Sequence, residues 1–242
     1  MKKFKKVFAA VMIGALIMSL GACKSISRDT AASKEESTEN ADFVSAPSNS
    51  KADASITDAT SDVPILGTVT DGVYANEYFN VKFTAPADYE FRSQEKLAET
   101  SGLTTEYFND EFLKKNVIGN NANYFDDLGA ERLDPRCRVT AVIAGIATDT
   151  DSTRQVVSDN LEAALMQYES QGTTVSNTDV KDTVFAGHNV FGYSGQLKTS
   201  AGQTAYENRY YLFHGRTVMC ITILAEHEAE LKDAIAAFEA LN

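Results

Sequence analysis

Apolar positions between residues 73 and 241 recur with two periods, and the switch between the periods marks the elements. In "VYANEYFNVKFTAP" (73–86), Phe79, Val81 and Phe83 alternate with polar residues, which predicts a strand that Pro86 ends. "DYEFRS" continues as a short strand, and "SQEKLAET" and "TTEYFNDEFLKKN" predict two short helices, the second with Phe108 and Phe112 one turn apart. "RCRVTAVIAG" predicts a strand with Cys137, Val139, Ala141 and Ile143 on one face. The clearest helix is "DSTRQVVSDNLEAALMQYESQG", where Val157, Leu161, Leu165 and Tyr168 form one stripe. Ser152-Thr153-Arg154-Gln155 fits a capping box, Asp149 and Asp151 suit the positive end of the helix dipole, and Gly172 is a stop.

Strands follow in "TVSNTDVKDTVFAG", "NVFGYSGQLK", "TAYENRYYLF" and "RTVMCITILA", with His214-Gly215 as a tight two-residue turn between the last two. A final helix over 226–241 places Leu231, Ile235, Phe238 and Leu241 on one side. Strands joined by hairpins form an antiparallel sheet, and long amphipathic helices must cover its faces. The fold class expected is α+β, an antiparallel sheet flanked by helices.

The pattern before residue 63 is different. Lys2, Lys3, Lys5 and Lys6 precede an apolar run, Val7–Leu20, that is shorter than the roughly 20 residues a membrane span requires. A cationic front, a short apolar middle and a small-residue exit predict an export signal over 1–22. Lys24 to Asp62 is rich in Ser, Thr, Ala, Asp and Glu, with Phe43 as its aromatic residue. Such a tract cannot bury enough apolar surface to offset its ordering entropy. Residues 23–62 are therefore expected to be a disordered tether, with a coil span of about 35 Å. Residues 63–242 are long enough for one compact core.

The exit, Leu20-Gly21-Ala22-Cys23, resembles the lipobox of bacterial lipoproteins. The resemblance implies a diacylglyceryl group on the Cys23 thiol and cleavage between Ala22 and Cys23. Two acyl chains give the stable anchoring that one chain does not. The expected location is the extracytoplasmic face of a cell membrane, reached through the N-terminal lipid.

Charge narrows the partners. The whole chain carries −12, and loss of the four signal lysines takes it to −16. Such a surface repels nucleic acid, so no nucleic-acid partner is expected. With Cys23 assigned to lipid, Cys137 and Cys220 remain, both in strand-like runs. A disulfide between them is allowed outside the cytoplasm, with buried free thiols as the alternative.

The stretch "YANEYFNVKFTAPADYEF" (74–91) resembles the opening of PsbP-like domains found in lipoproteins of Gram-positive anaerobes. Their pattern is carried here by Tyr74, Asn76, Tyr78, Phe79, Val81, Phe83 and Pro86, with Tyr89 where Trp is the usual residue. "YENRYYLFHGRTVMCITILAEHEAELKDAIAAF" is similar to the closing hairpin and helix. The resemblance implies an α/β/α sandwich and a binding or assembly role, as in the extrinsic PsbP protein of photosystem II. It transfers no functional residue, because its motifs are packing motifs, and fold analogy is weak evidence for function.

Catalytic and metal motifs in the sequence each have a structural reading beside the functional one. Ser93-Gln94-Glu95-Lys96, Ser158-Asp159-Asn160 and Lys198-Thr199-Ser200 follow the order S-x-x-K, S-D-N, K-T-G of serine β-lactamases and penicillin-binding proteins. Ser158 lies inside a predicted helix and Ser200 replaces the Gly, so the context argues against an acyl enzyme. Ser93 and Lys96 stay as the residues that a wall-active hydrolase would use. "HEAEL" (227–231) has Leu231 where a second zinc-binding His belongs, and His188 and His214 fall in predicted turns. "DTDST" (149–153) lacks the Gly and Glu of a calcium loop. No metal and no cofactor are expected. Tyr206, Tyr210 and Tyr211 are read as sheet packing rather than as an aromatic binding face. The function expected is a binding or assembly module for an envelope protein or ligand not named by the sequence. A hydrolase and a solute-binding lipoprotein are the alternatives.

Overall fold

A computed structural model describes residues 62–118, 124–146, 153–177 and 179–241. The signal and lipobox residues, Ala22 and Cys23 included, lie outside these, as do almost all of the tether and the Asp149–Ser152 part of the capping box and calcium-like stretch.

Two sheets organise the chain. The small one has the order β1 (Thr68–Thr70), β2 (Val73–Asn76), β3 (Val81–Thr84), β12 (Phe238–Glu239). The large one runs β4 (Glu90–Phe91), β5 (Tyr124–Leu133), β6 (Arg136–Gly145), β11 (Thr217–Ala225), β10 (Thr204–His214), β9 (His188–Thr199). On the outer edge of β9 lie both β7 (Thr173–Ser176) and β8 (Lys181–Phe185). All pairings are antiparallel. The helices are α1 (Gln94–Thr100), α2 (Asp110–Leu113) with a π-helical turn after it (Lys114–Ile118), α3 (Thr153–Ser170) and α4 (Glu228–Ala236).

Strand alternation divides the large sheet into two apolar faces. Cys137, Val139, Ala141 and Ile143 share the front with Met219, Ile221, Ile223 and Leu212. Leu97 of α1, Leu231 of α4 and the small sheet's Tyr74, Val81 and Phe83 cover that front. The back carries Ala144, Tyr211, Val218 and Cys220, and Val157 of α3 packs there. Further along, Tyr168 of α3 packs on Leu197, Ala205 and Leu224. The layering is the α+β sheet with helices on both faces that the periodicity predicts. Each fully buried large apolar side chain contributes about 1.5–3 kcal/mol through burial.

Several boundaries differ from the sequence reading. The single strand expected over 73–86 is the β2–β3 hairpin, because Asn76 Oδ1 accepts from Phe79 N at 3.0 Å and Asn80 takes a positive φ of 52°. The strand expected over 174–187 is two strands, broken at Asn177 with φ 60°. The β10–β11 turn is Gly215-Arg216 rather than His214-Gly215, since His214 pairs with Thr217. The last helix stops at Ala236, and Phe238 pairs with Phe83 instead of extending it. Strand β5 has no counterpart in the sequence reading.

A disulfide between Cys137 and Cys220 does not form, and both thiols are free and buried. Their strands are neighbours, but Cys137 faces Ala225 and Cys220 faces Val142. Five residues separate Cys220 from Ala225, an odd offset that places the two thiols on opposite faces of the sheet.

The missed strand holds a buried carboxylate, Asp127. A bulge between Asp126 and Leu128 inserts Asp127 as an extra residue and re-aims its side chain. Asp127 accepts from Tyr74 Oη at 2.5 Å, Asn76 Nδ2 at 2.8 Å and the Gly67 amide at 2.8 Å. Asn76 Nδ2 also donates to the Ile65 carbonyl at 2.9 Å. Gly67 is required because a Cβ there would lie 2.3 Å from the Tyr74 ring. Asp127 thus ties the entry segment and β2 to the large sheet. Asp127→Ala, which removes an acceptor shared by three donors, is expected to cost about 3 kcal/mol in urea unfolding. Burial pushes the Asp127 carboxyl up to about 6 from an ordinary value of 3.8. The folded state therefore binds this proton more tightly than the unfolded chain, and the group's contribution falls as pH rises from 3.8 through about 6. That slope is expected to vanish in Asp127→Asn.

Candidate functional site

A concavity lies where the large sheet splits. Strands β9 and β10 pair from Thr204↔Lys198 to Tyr211↔Phe191, and the ladder stops there. The two-residue hairpin turns at Ala186-Gly187 and Gly215-Arg216 fix which edge each residue bonds. On β9, odd-numbered residues bond toward β10, and on β10, odd-numbered residues bond toward β9. Asn189 and Phe213 would exchange the next pair of hydrogen bonds, but that pair is not made. Beyond Phe191, β9 instead continues beside β8 as far as Phe185↔His188.

The turn between β2 and β3 explains the split. His188 donates from Nε2 to the Asn80 carbonyl at 2.8 Å, drawing the start of β9 to the small sheet. Tyr78 stacks on His214 at 4.2 Å, which holds the end of β10 to the same turn. Phe79, between them, reaches the opening and meets His214 edge-on at 6.4 Å. Phe185 stacks on Tyr210 at 3.9 Å and packs against Phe238 at 4.9 Å, which seats the β8–β9 hairpin on the front core.

The resulting cleft has a volume of about 560 Å³. This is within the size range of small-molecule and peptide pockets. Phe79, Phe191, Leu212 and Phe213 supply apolar wall, and Asp182, Thr183, His188 and Asn189 supply polar groups. Phe191 and Phe213 meet edge-on at 6.1 Å. Across the strands, Asp182, Phe191 and Tyr211 form one row. Val184, 68% exposed, shares a row with Asn189 at the rim.

Under α3, next to this cleft, lies a buried charged group. Glu207 and Arg209 are two apart on β10 and so share the back face, with Nε to Oε1 at 2.7 Å and side chains 1–2% exposed. Tyr168 Oη donates to Glu207 Oε2, and Arg209 Nη2 donates to Tyr168 Oη at 3.3 Å. Burial pulls the Arg209 guanidinium down, but Glu207, Tyr168, Tyr211 and Cys220 together outweigh this and hold it well above its ordinary value. Burial likewise pushes the Tyr168 and Tyr193 hydroxyls up, with Glu207 adding to both. A Cβ at residue 195 would fall 1.9 Å from the Tyr193 hydroxyl, so Gly195 makes room for it. The group has the arrangement of a positioning lock between α3 and β10, not of a reactive site, since every charge is matched and sealed from solvent.

The other sequence candidates fall in separate places. Ser93 is the N-cap of α1, accepting from the Lys96 amide at 3.3 Å, and Lys96 Nζ pairs with Glu99 at 2.6 Å. Ser158 lies on α3 across the sheet from α1, and Lys198–Ser200 ends β9, so the three β-lactamase-like segments do not converge. Leu231 is buried in the front core. Among the described residues, no group of three His, Cys, Asp or Glu side chains is placed to hold a metal ion. Tyr210 and Tyr211 are both buried, on opposite faces. The cleft residues Phe79, Asp182, His188, Asn189 and Phe213 were not found from the sequence as a site. Local spacing carries no sign of a ladder that ends early.

No family model and no curated protein matches the chain. Among solved structures the chain is similar to LpqN of Mycobacterium tuberculosis, described as involved in cell envelope biogenesis. That match has 11% identity and a TM-score of 0.35, covering 65% of this chain and 76% of that one. It is also similar to cyanobacterial PsbP from Synechocystis, at 10% identity and a TM-score of 0.42, covering 69% and 91%. At such scores the account of the fold rests on strand order and register.

Removing one member of the buried pair tests its role. Glu207→Gln is expected to cost about 3–5 kcal/mol in chemical denaturation, because Arg209 is left buried without its counter-charge. Replacing both together, Glu207→Leu with Arg209→Met, is expected to cost much less than the single change.

Proposed function

We propose that the chain is a lipid-anchored binding or assembly module of the cell envelope, non-enzymatic, with the split between β9 and β10 as its binding site. The observation that carries the binding reading is the cleft of about 560 Å³, walled by aromatic rings and rimmed by a few polar groups. Leu20-Gly21-Ala22-Cys23 behind a short apolar run supports the anchor. Among the described residues no helix is long and apolar enough to cross a membrane. A non-catalytic role is supported by the engagement of Ser93 and Lys96 within α1. The cleft also suits a solute-binding lipoprotein, which is the second reading.

Two measurements on the full chain test this. Cys23→Ser is expected to abolish labelling by a clickable palmitate analogue and to move the protein from the membrane fraction to the soluble one. Unchanged fractionation and unchanged processing contradict the anchor. A photo-crosslinking residue at Val184 is expected to give a discrete adduct in intact cells, while one at the exposed Met166 on α3 gives none. Identical patterns from both positions contradict the binding site.

A further inference from the structure

Residues 62–67 lead into β1, which lies at the end of the small sheet and pairs with β2. Of residues 62–70, Ile65 is buried, Leu66 and Gly67 are half-buried, and the rest are exposed. Two carboxylates from other elements hold this segment down. Asp110 of α2 accepts from the Ile65 amide at 2.5 Å, and Asp127 of β5 accepts from the Gly67 amide at 2.8 Å. Asn76 Nδ2 bridges the Ile65 carbonyl and Asp127. Between β1 and β2, Asp71 and Gly72 turn with φ of 50° and 78°, and the Gly72 carbonyl is fixed by the Ala85 amide at 3.0 Å. Residues 62–70 can therefore lift about that turn as one terminal piece, leaving β2 on β3.

The two carboxylates differ in what faces them. Asp110 is partly exposed and has a counter-charge, Lys114, at 2.9 Å. Asp127 is buried, and among the described residues no cation pairs with it. Its partners are neutral: the Gly67 amide of the segment, and Tyr74 and Asn76 of β2. Tyr74 is the titratable one of these, and burial pushes its hydroxyl well up, so it keeps its proton. The preceding residue on β5, Asp126, pairs with Val142 and lies near the charges of Arg92 and Arg138 instead. Asp62 and Asp71 stand exposed at the two ends of the segment.

We propose that residues 62–70 are a proton-controlled strap, closed over Asp127 while that carboxyl is neutral and peeled back more often once it is charged. Closure strips water from the carboxyl and supplies hydrogen bonds but no opposite charge. Lifting Gly67 lets water return. Burial accordingly pushes Asp127 up to about 6, against an ordinary value of 3.8. The closed strap binds the proton more tightly than the open one. Acid therefore favours closure, and the balance moves toward opening as pH rises from 3.8 through about 6. Opening uncovers the Tyr74 ring, against which Gly67 packs. It also frees the whole of 62–70, which when extended spans about 30 Å. The proton thus sets both the exposure of that slot and the length of free chain before the domain.

Amide exchange in the full chain tests this, read by NMR and divided by the intrinsic exchange rate at each pH. Opening measured at the Ile65 and Gly67 amides is expected to rise about tenfold between pH 5 and pH 7. The Ile221 amide lies in β11 between β6 and β10, and is expected to stay at least about a hundredfold better protected at both pH values. The Asp127 carboxyl carbon is expected to titrate with a midpoint of about 6. Asp127→Asn flattens the rise at Ile65 and Gly67, and Asp110→Asn keeps it. In the unmutated protein, opening that is flat or falls between pH 5 and pH 7 overturns the inference, as does an Asp127 midpoint near its ordinary 3.8. Equal protection of Gly67 and Ile221 also overturns it, since the segment then leaves only when the whole domain unfolds. So does a folded Asp127→Asn protein that keeps the rise, or an Asp110→Asn protein that loses it. Should Asp127→Asn fail to fold, exchange and titration of the unmutated protein decide the matter. None of these outcomes bears on the lipid anchor or the cleft.

Discussion

One short turn, Glu77–Asn80, holds the ends of two strands apart, and the rest of the functional account depends on it. Three of its residues have separate tasks. The Asn80 carbonyl takes the His188 ring, Tyr78 takes the His214 ring, and Phe79 fills part of the space between. A strand has two hydrogen-bonding edges, and β9 uses its outer edge for β7 and β8. Once its start is drawn to the small sheet, its inner edge cannot stay on β10. The cleft is the geometric remainder of that competition, and so it has main chain as well as side chains in its walls.

The turn can act as a wedge only if the hairpin that carries it is fixed. Asp127 does this from below, through Tyr74 and Asn76 of β2. Tyr74 and Asn76 belong to the same sequence motif as Tyr78 and Phe79, so one motif contains both the clamp and the wedge. On the opposite face, Glu207, Arg209 and Tyr168 fix α3 against β10. Buried polar groups of this kind add little net stability over apolar replacements, and their value here is in fixing register. Register decides that Asn189 and Phe213, and not their neighbours, face the opening.

The sequence made the layers legible and the site illegible. The stripe Val157, Leu161, Leu165, Tyr168 and the alternation Cys137, Val139, Ala141, Ile143 are local periods, and the structure keeps both on apolar faces. Strand β5 escaped because the bulge at Asp127 breaks its alternation and because Glu131 pairs with Arg136 and Arg138, which reads as a charged loop. Strand β12 is two residues long and follows a helix with no Gly or Pro to announce the stop. The cysteine pair shows the same limit: strand adjacency was guessable, but the five-residue offset is a property of register between distant segments. The cleft draws residues from the β2–β3 turn, β8, β9 and β10, and no local spacing could have grouped them.

The central claim is that β9 and β10 part company after Phe191. Antiparallel strands bring opposed α-protons close at each non-hydrogen-bonded pair. Gly192 and Tyr210 are such a pair within the ladder, and Val190 and Leu212 would be the next. A nuclear Overhauser spectrum of the protein is predicted to show the cross-strand α-proton contact between Gly192 and Tyr210 and none between Val190 and Leu212. A contact of equal strength at Val190 and Leu212 would mean a closed ladder, and would contradict the account.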